Sequence, residues 1–285
     1  MSKPNANCVF IAEIGINHNG SMEITKKLID MAKLHGCDYV KFQKRDINVV
    51  YTKQFLDQPR ESPWGTTQRA QKEALEFGSD KYAEIDQYCK QVGIGWFASA
   101  WDLNSLNFLD KFQLPHNKIA SAMLTQWEFV KEVAFRGVHT YISTGMCTYS
   151  DLDKVVKIFR DNRCPFTLLH CVSTYPCPDE KANVALMLSL RDRYQCPVGY
   201  SGHEAGTAPT LLAAALGASA IERHITLGRA MYGSDQAASL EWRGLHDLVK
   251  FVRQMETVYG HGEKVFDNEE RAVAKKLRYF EDVNT

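Results

Sequence analysis

The chain of 285 residues has little of what marks several large classes of protein. It has no uninterrupted apolar run of roughly 18 residues, which excludes an ordinary transmembrane helix. Its start, MSKPNANCVFIAEIG, carries a single lysine, and a glutamate interrupts the apolar stretch. Because this pattern is unlike a secretory signal peptide, we expect a cytoplasmic protein with no membrane partner.

An excess of charge of one sign is also missing. The 34 Lys and Arg residues balance 34 Asp and Glu residues, so we expect no nucleic-acid partner, which would require a basic stripe. The eight cysteines form no C-x-x-C pair, and this argues against a zinc or dithiol motif. We expect them to be small buried side chains rather than a disulfide framework.

Short β-rich segments alternate with longer helical ones. The predicted strands cover residues 9–16, 39–43, 95–100, 117–122, 139–144, 166–172, 198–202 and 220–225. The predicted helices cover roughly residues 21–36, 79–93, 102–112, 126–136, 150–160, 185–193, 206–216 and 241–258. This alternation predicts an α/β fold, a (β/α)₈ TIM barrel of the usual length of about 250 residues. A doubly wound open sheet is the alternative, disfavoured because no G-x-G-x-x-G follows the first strand.

Two segments exceed a minimal barrel. We assign residues 1–260 to the barrel and residues 261–285 to a charged C-terminal tail. Residues 46–79 form a long polar loop insertion after the second strand. A loop of that length is typical of a functional lid or of a disordered segment.

Polar residues recur where the predicted strands end, which is where TIM barrels hold their active sites. Lysines and hydroxyls at these ends suit an anion that bears phosphate and carboxylate groups. His203 and His224, on neighbouring strands, can share a divalent metal. In the last strand, AIERHIT, alternation puts Glu222 and His224 on one face and Arg223 on the other, towards the helices. We expect His170 on the sixth strand to point into the barrel.

The order of several motifs resembles the sialic acid synthase (N-acetylneuraminate synthase) family. These motifs are AEIGINHNG, VKFQ, ISTGM, LLHCVSTYP, GYSGH and IERHIT, spread over residues 12–226. The resemblance implies a (β/α)₈ barrel that condenses phosphoenolpyruvate with an N-acetylmannosamine-type aldose. The products would be a 3-deoxy-2-keto sugar acid and phosphate, and the cofactor a divalent metal, Mn²⁺ or Mg²⁺.

The resemblance also implies roles for individual residues. The catalytic set would be Glu13, Lys41, Lys118 and Tyr175. The substrate-binding set would be Gln43, Ser121, Ser143, Ser173, Ser201 and Asp235. The metal ligands would be His203 and His224.

The sequence departs from the family pattern at the end of strand 4. The family carries K-I-G-S-G-E there, whereas this chain has IASAM, which puts Met123 in the place of a candidate general base. A thioether accepts no proton at neutral pH, so another group must take over if the chemistry is kept. The candidates are Glu13, Asp102 and Glu204.

Most members of the family that the chain resembles carry a C-terminal antifreeze-like domain after the barrel, and we expect the sequence up to Thr285 to hold the barrel domain only. That domain contributes to the family's acetamido recognition and to its dimer, so a non-acetylated aldose is an alternative and a homodimer is an expectation. Two further alternatives stay open. One is an aldolase in which Lys41 or Lys118 forms a Schiff base. The other is a catalytically degenerate barrel that binds a sugar or phosphate.

Overall fold

Eight parallel strands close into a barrel in the computed structural model, which describes residues 4–5 and 7–279. Each strand pairs with its neighbours in the chain, and strand 8 closes on strand 1 with Glu13 opposite His224. The (β/α)₈ prediction is therefore confirmed. In chain order, strands 1 to 8 are Val9–Gly15, Tyr39–Lys44, Gly95–Ala100, Asn117–Ile119, Thr140–Ser143, Phe166–His170, Val198–Gly202 and Ala220–His224.

Helices surround the barrel, and three of them begin at a residue whose side chain caps the first turn. Ser21 Oγ accepts a hydrogen bond from Ile24 N at 3.3 Å, and Thr148 and Asp151 form a reciprocal capping box. Each helix buries its apolar stripe against the strands. These helices are Met22–Leu34, Ser79–Val92, Leu103–Leu109, Trp127–Phe135, Tyr149–Asp161, Leu186–Tyr194, Ala208–Ala215 and Trp242–Tyr259.

An apolar layer fills the barrel interior beneath its polar end. It contains Ile11, Phe97, Tyr141, Leu169 and Ala220, all buried. Most of these precede a polar residue by two positions in the same strand, as with Ile11 before Glu13. Since alternate residues of a strand share a face, the apolar residues form a floor and the polar residues a layer above it.

Two strands end at least two residues earlier than predicted, and three others end one residue earlier. Strand 4 stops at Ile119, and a 3₁₀ turn, Ser121–Met123, replaces its predicted end. Strand 6 stops at His170 rather than at residue 172. The residues released from these strands turn over the barrel mouth and bring Ser121 and Ser173 to the site.

The insertion at 46–79 is built from regular elements. It contains two short helices, Ile47–Val50 and Lys53–Leu56, an antiparallel hairpin, and helix Gln68–Leu75. Asp46, Thr52 and Thr67 cap these helices with their side-chain oxygens. The segment is therefore an ordered subdomain at the mouth, where the sequence predicted a polar loop.

The tail holds one further helix, Asn268–Leu277, and its predicted part beyond residue 279 lies outside the described residues. The eight cysteines are free thiols. In the stretch that the structure describes, no helix is both long and apolar enough to cross a membrane.

Candidate active site

A cavity of about 220 Å³ opens at the carboxyl ends of the barrel strands. It brings together all the residues predicted for the site except Asp235. Its polar lining consists of Glu13, Lys41, Gln43, Ser99, Trp101, Lys118, Ser121, Ser143, Ser173, Tyr175, Ser201, His203, Glu222 and His224. Ser99 and Trp101 were not among the predicted site residues, although each continues strand 3 past the interior-facing Phe97.

Two buried ammonium groups flank one carboxylate at the centre of the cavity. Lys41 Nζ and Lys118 Nζ each lie 3.8 Å from Glu222 Oε1. Ser201 Oγ donates to the same oxygen at 3.1 Å. Burial alone would raise the pKa of Glu222, but Lys118 and Lys41, with His224 and His203, outweigh it and lower the pKa. Glu222 is thus a fixed anion that holds both lysines in place.

Burial lowers the pKa of Lys118, and the nearby Lys41 adds to this effect, whereas Glu222 opposes it. Its Nζ donates to Ser143 Oγ at 2.6 Å. Lys41 and Lys118 here face two buried carboxylates, and the lysines with the neighbouring serine hydroxyls are the donors that a bound anion would meet.

Glu13 makes one ion pair and accepts one hydrogen bond. Lys41 Nζ lies 2.7 Å from its Oε2, and Gln43 Nε2 donates to its Oε1 at 2.7 Å. Burial raises the pKa of Glu13 to about 7, although Lys41 and the hydrogen bond from Gln43 act against the shift. A carboxyl group with a pKa near neutrality can both accept and return a proton at physiological pH.

Hydroxyls and a backbone N–H form a small cradle beside Lys118. The N–H of Gly145 donates to Ser121 Oγ at 3.1 Å. Ser173 Oγ is buried and has no hydrogen-bond partner among the described residues. A Cβ on Gly145 would lie 2.4 Å from Ser173 Oγ and 2.8 Å from Ser121 Oγ. A larger residue in place of Gly145 would therefore collide with both hydroxyls, and glycine lets the backbone approach them closely.

His203 and His224 face a common point at the mouth, with ring centroids 5.5 Å apart. His203 Nδ1–H donates to the Val172 carbonyl at 2.9 Å, which leaves the lone pair on Nε2. Burial first, and then His224, lower the pKa of His203 to about 4, and burial also lowers that of His224. Both rings are therefore neutral at pH 7, the state in which imidazole binds metals.

Tyr175 and Asp235 stand on either side of this pair. The Tyr175 ring lies 4.1 Å from the His203 ring, centroid to centroid. Asp235 does not line the cavity, but its Oδ2 is 3.7 Å from His224 Nδ1. The structure thus places Asp235 beside a predicted metal ligand rather than on the substrate side.

Among the three carboxylates considered as replacements for the family's strand-4 glutamate, Glu13 is the one that lines the cavity. Asp102 caps helix Leu103–Leu109, and its Oδ1 accepts from Ser105 N at 2.7 Å. Glu204 pairs with Arg223 outside the barrel. Met123 itself lines a neighbouring groove instead of the cavity.

The prediction for His170 is wrong. Its Nε2–H donates to the Ala182 carbonyl at 2.8 Å, on the helix side of strand 6, and Leu169 takes the interior position. Alternation puts Leu169 and Cys171 on one face of the strand and His170 on the other, and the packing of Leu169 on the barrel floor turns the first face inward. The same alternation marks Glu222, two residues before His224, as an interior residue.

Comparison with known proteins agrees with this geometry. The model of the NeuB family matches residues 28–264. The human N-acetylneuraminate-9-phosphate synthase is 37% identical over 95% of this chain and 76% of its own length. The N,N'-diacetyllegionaminic acid synthase of Legionella pneumophila is 33% identical over 95% of this chain and 78% of its own length.

A solved structure is similar as well. The N-acetylneuraminic acid (sialic acid) synthetase from Leptospira borgpetersenii serovar Hardjo-bovis, in complex with citrate, superposes with a TM-score of 0.82 at 30% identity. The match covers 96% of this chain and 94% of that one. The family match, the identities and the shared barrel together establish that the chain belongs to the NeuB family.

Proposed function

We propose that the chain condenses phosphoenolpyruvate with an N-acetylmannosamine-type aldose to give a 3-deoxy-2-keto sugar acid, a sialic acid or related nonulosonate, and phosphate. Its family membership makes it a carbon–carbon bond-forming transferase. The observation that carries the proposal is the arrangement of Lys41 and Lys118 around Glu222, next to a hydroxyl cradle and beneath two neutral histidines.

The cavity residues that bind phosphoenolpyruvate are distinct from the residue that we assign to proton transfer. Lys118, Ser143 and the cradle of Ser121 and Ser173 supply donors to the carboxylate and phosphate of phosphoenolpyruvate. Its C3 forms a bond to the aldehyde carbon, and the aldehyde oxygen takes up a proton. Water then adds its oxygen to C2, the bond from C2 to the phosphate oxygen breaks, and the C2 hydroxyl loses its proton as the ketone forms.

Glu13 is the residue we assign to proton transfer in these steps. Its pKa of about 7 allows it to act as base toward water and as acid toward the new alkoxide. Lys41, 2.7 Å from Glu13, stabilises its charged form. This assignment needs no carboxylate at Met123, which faces a different groove.

His203 and His224 fit a divalent cation, which we propose to be Mn²⁺ or Mg²⁺. Both imidazoles are neutral, and His224 Nδ1 is buried without a hydrogen-bond partner among the described residues. Within residues 4–5 and 7–279, no three His, Cys, Asp or Glu side chains could hold an ion together. Water or substrate oxygens would therefore complete the site. When bound, such a cation supplies Lewis acidity toward an aldehyde oxygen.

The test is an acceptor panel. The protein is incubated with phosphoenolpyruvate and Mn²⁺ and with N-acetylmannosamine, its phosphorylated form, mannose or arabinose 5-phosphate, and phosphate release and product mass are measured. We expect turnover with an N-acetylated aldose. Turnover with mannose or arabinose 5-phosphate alone would favour the non-acetylated alternative.

The absence of the usual strand-4 glutamate favours a second candidate function, a barrel that binds a sugar or phosphate without turnover. Calorimetry with phosphoenolpyruvate separates the two, because tight binding with no product from any aldose would support the binding protein. Borohydride trapping with pyruvate covers the Schiff-base alternative. A homodimer belongs to the same proposal and is measured by light scattering.

A further inference from the structure

Arg45 lies directly after strand 2 and is held from several sides at the wall of the cavity. Its side chain is only 10% exposed. The guanidinium carbon lies 4.1 Å from the centre of the Trp101 ring, and Nη1 lies 3.5 Å from Glu76 Oε1. The backbone N–H of Arg45 donates to the other oxygen of Glu76 at 3.1 Å. Arg45 thus joins the insertion, through Glu76, to a residue that lines the active site.

Arg45 also touches Gln43, which lines the same cavity. Its Nη2–H donates to Gln43 Oε1. The opposite end of the amide, Gln43 Nε2, donates to Glu13 Oε1 at 2.7 Å. A guanidinium has donors and no acceptor, whereas an amide has both. Arg45 can therefore bond only to the oxygen of Gln43, and this obliges the NH₂ group to face Glu13.

The orientation matters because an amide occupies nearly the same volume when it is turned by half a rotation. In the reversed orientation, the oxygen of Gln43 would face the oxygens of Glu13. Glu13 would then lose a donor, and the groups that Gln43 shows to a ligand would be exchanged. With Arg45 in place, Gln43 keeps one N–H and one lone pair on Oε1 for that ligand.

We infer that Arg45 is a positioning residue that fixes the orientation of the Gln43 amide and so the hydrogen bonds that Gln43 offers to the aldose. A chain of contacts runs from Glu76 through Arg45 and Gln43 to Glu13 and Lys41. That the aldose is the ligand of Gln43 rests on the proposed function. The orientation of the Gln43 amide does not, because it follows from the contacts with Arg45 and Glu13.

Lys44 provides a matched control. Its Nζ lies 3.3 Å from Glu76 Oε2, the same carboxylate that Arg45 contacts. This Nζ also donates to the Arg45 backbone carbonyl at 3.2 Å and lies 5.3 Å from the centre of the Phe108 ring, and among the described residues no hydrogen bond or ion pair joins it to the Gln43 side chain. Lys44→Met therefore removes one positive charge beside Glu76 but leaves the Gln43 amide bonded to Arg45.

The kinetic test compares wild type, Arg45→Met, Lys44→Met, Gln43→Met and the double variant Arg45→Met/Gln43→Met, at saturating phosphoenolpyruvate. We expect Arg45→Met to lose roughly tenfold or more in kcat/KM, mainly through the KM for the aldose, because a charge-assisted hydrogen bond is lost. Lys44→Met should stay within about twofold of wild type in kcat/KM, because Lys44 bonds to no residue of the cavity and its loss removes no interaction with substrate or transition state. Arg45→Met should cost nothing further once Gln43 is Met. Equal losses in the two single-charge variants, or additive losses in the double variant, would overturn the inference.

A spectroscopic test decides the orientation without turnover. The side-chain amide protons of Gln43 are identified in a ¹⁵N–¹H spectrum by their loss in Gln43→Met. We expect one of them to resonate downfield, as a proton bonded to a carboxylate does, and to move toward free-amide values in Arg45→Met but not in Lys44→Met. An unchanged resonance in Arg45→Met would refute the inference. Absence of turnover in the wild type with every aldose would refute the proposed function alone.

Discussion

Replacing Glu204 by Gln should destabilise the protein strongly, because Glu204 and Arg223 form an ion pair with both side chains 0% exposed. Arg223 Nη1 lies 3.0 Å from Glu204 Oε1 and donates to Thr210 Oγ1 at 2.9 Å, while Nη2 donates to the Glu204 carbonyl at 2.6 Å. Tyr200 OH donates to the remaining carboxylate oxygen at 3.1 Å. Gln keeps the shape of Glu but removes its charge and turns one acceptor oxygen into an NH₂ donor, so the Arg223 guanidinium is left without a counter-charge between barrel and helices.

The expected size follows from this burial. Removing one partner of a buried pair costs roughly 3–5 kcal/mol of the free energy of unfolding. For a chain of 285 residues, an unfolding entropy of about 2.1 cal/mol/K per residue gives about 600 cal/mol/K. The melting temperature should therefore fall by roughly 5–8 °C. The apolar double variant Arg223→Met/Glu204→Leu should recover part of this loss, because no buried charge remains.

Urea unfolding followed by circular dichroism measures the effect. The control is Asp161→Asn, because Lys157 Nζ lies 2.8 Å from Asp161 Oδ2 but the two side chains are 74% and 59% exposed. That shorter but solvated pair should contribute less than about 1 kcal/mol. A loss for Glu204→Gln no larger than that of Asp161→Asn would show that burial does not set the strength of the Glu204–Arg223 pair.

Three further predictions concern the site and its surroundings. Lys118→Met should lower phosphate release by a factor on the order of 100 or more, since it removes a preorganised donor to the substrate anion, and near-normal release would contradict this. Chelation of divalent metal should abolish turnover and added Mn²⁺ restore it, whereas His203→Ala should bind Mn²⁺ more weakly by calorimetry; equal affinity would count against the site. Burial first, and then Lys81 and Arg45, lower the pKa of His18 to about 3. Between the unfolded pKa of about 6.5 and that value, the unfolded chain binds a proton that the folded one does not, so falling pH should remove about 1.4 kcal/mol of stability per unit. His18→Asn should flatten this dependence, and an unchanged slope in unfolding titrations would refute the assignment.

Local pattern was enough to predict the barrel and most of its polar end. Alternation within a strand decides which residues share a face, and strand-to-strand pairing then puts every strand's last interior residue at one end. In AIERHIT this rule assigns His224 to the cavity and Arg223 to the helix layer, where its side chain is found. The rule needs only neighbours in sequence, so it can be applied without coordinates.

The rule gave wrong predictions where the end of a strand, or the side of the strand that faces the barrel interior, was misjudged. Strand 6 was predicted to continue past His170, and nothing in its sequence says which face lies inside; the packing of Leu169 on the barrel floor decides it. Asp102 and Glu204 were considered as free carboxylates for different reasons. Asp102 caps the helix that follows it through Ser105 N, a local pattern at the start of the predicted helix 102–112. The partner of Glu204, Arg223, lies on another strand and is identified only in the folded barrel.

By itself, the sequence determined the alternating elements and the chemical types at the strand ends, because both follow from short-range periodicity. Only the tertiary structure decided how those groups are linked. Glu222 stands between Lys41 and Lys118, from two distant strands, and Arg45 reaches Trp101 across 56 positions of chain. Such contacts depend on barrel closure and on the folded insertion. Whether a group such as the Gln43 amide donates or accepts depends on the neighbour that the fold places beside it. That information is fixed by three-dimensional packing and is absent from any window of sequence.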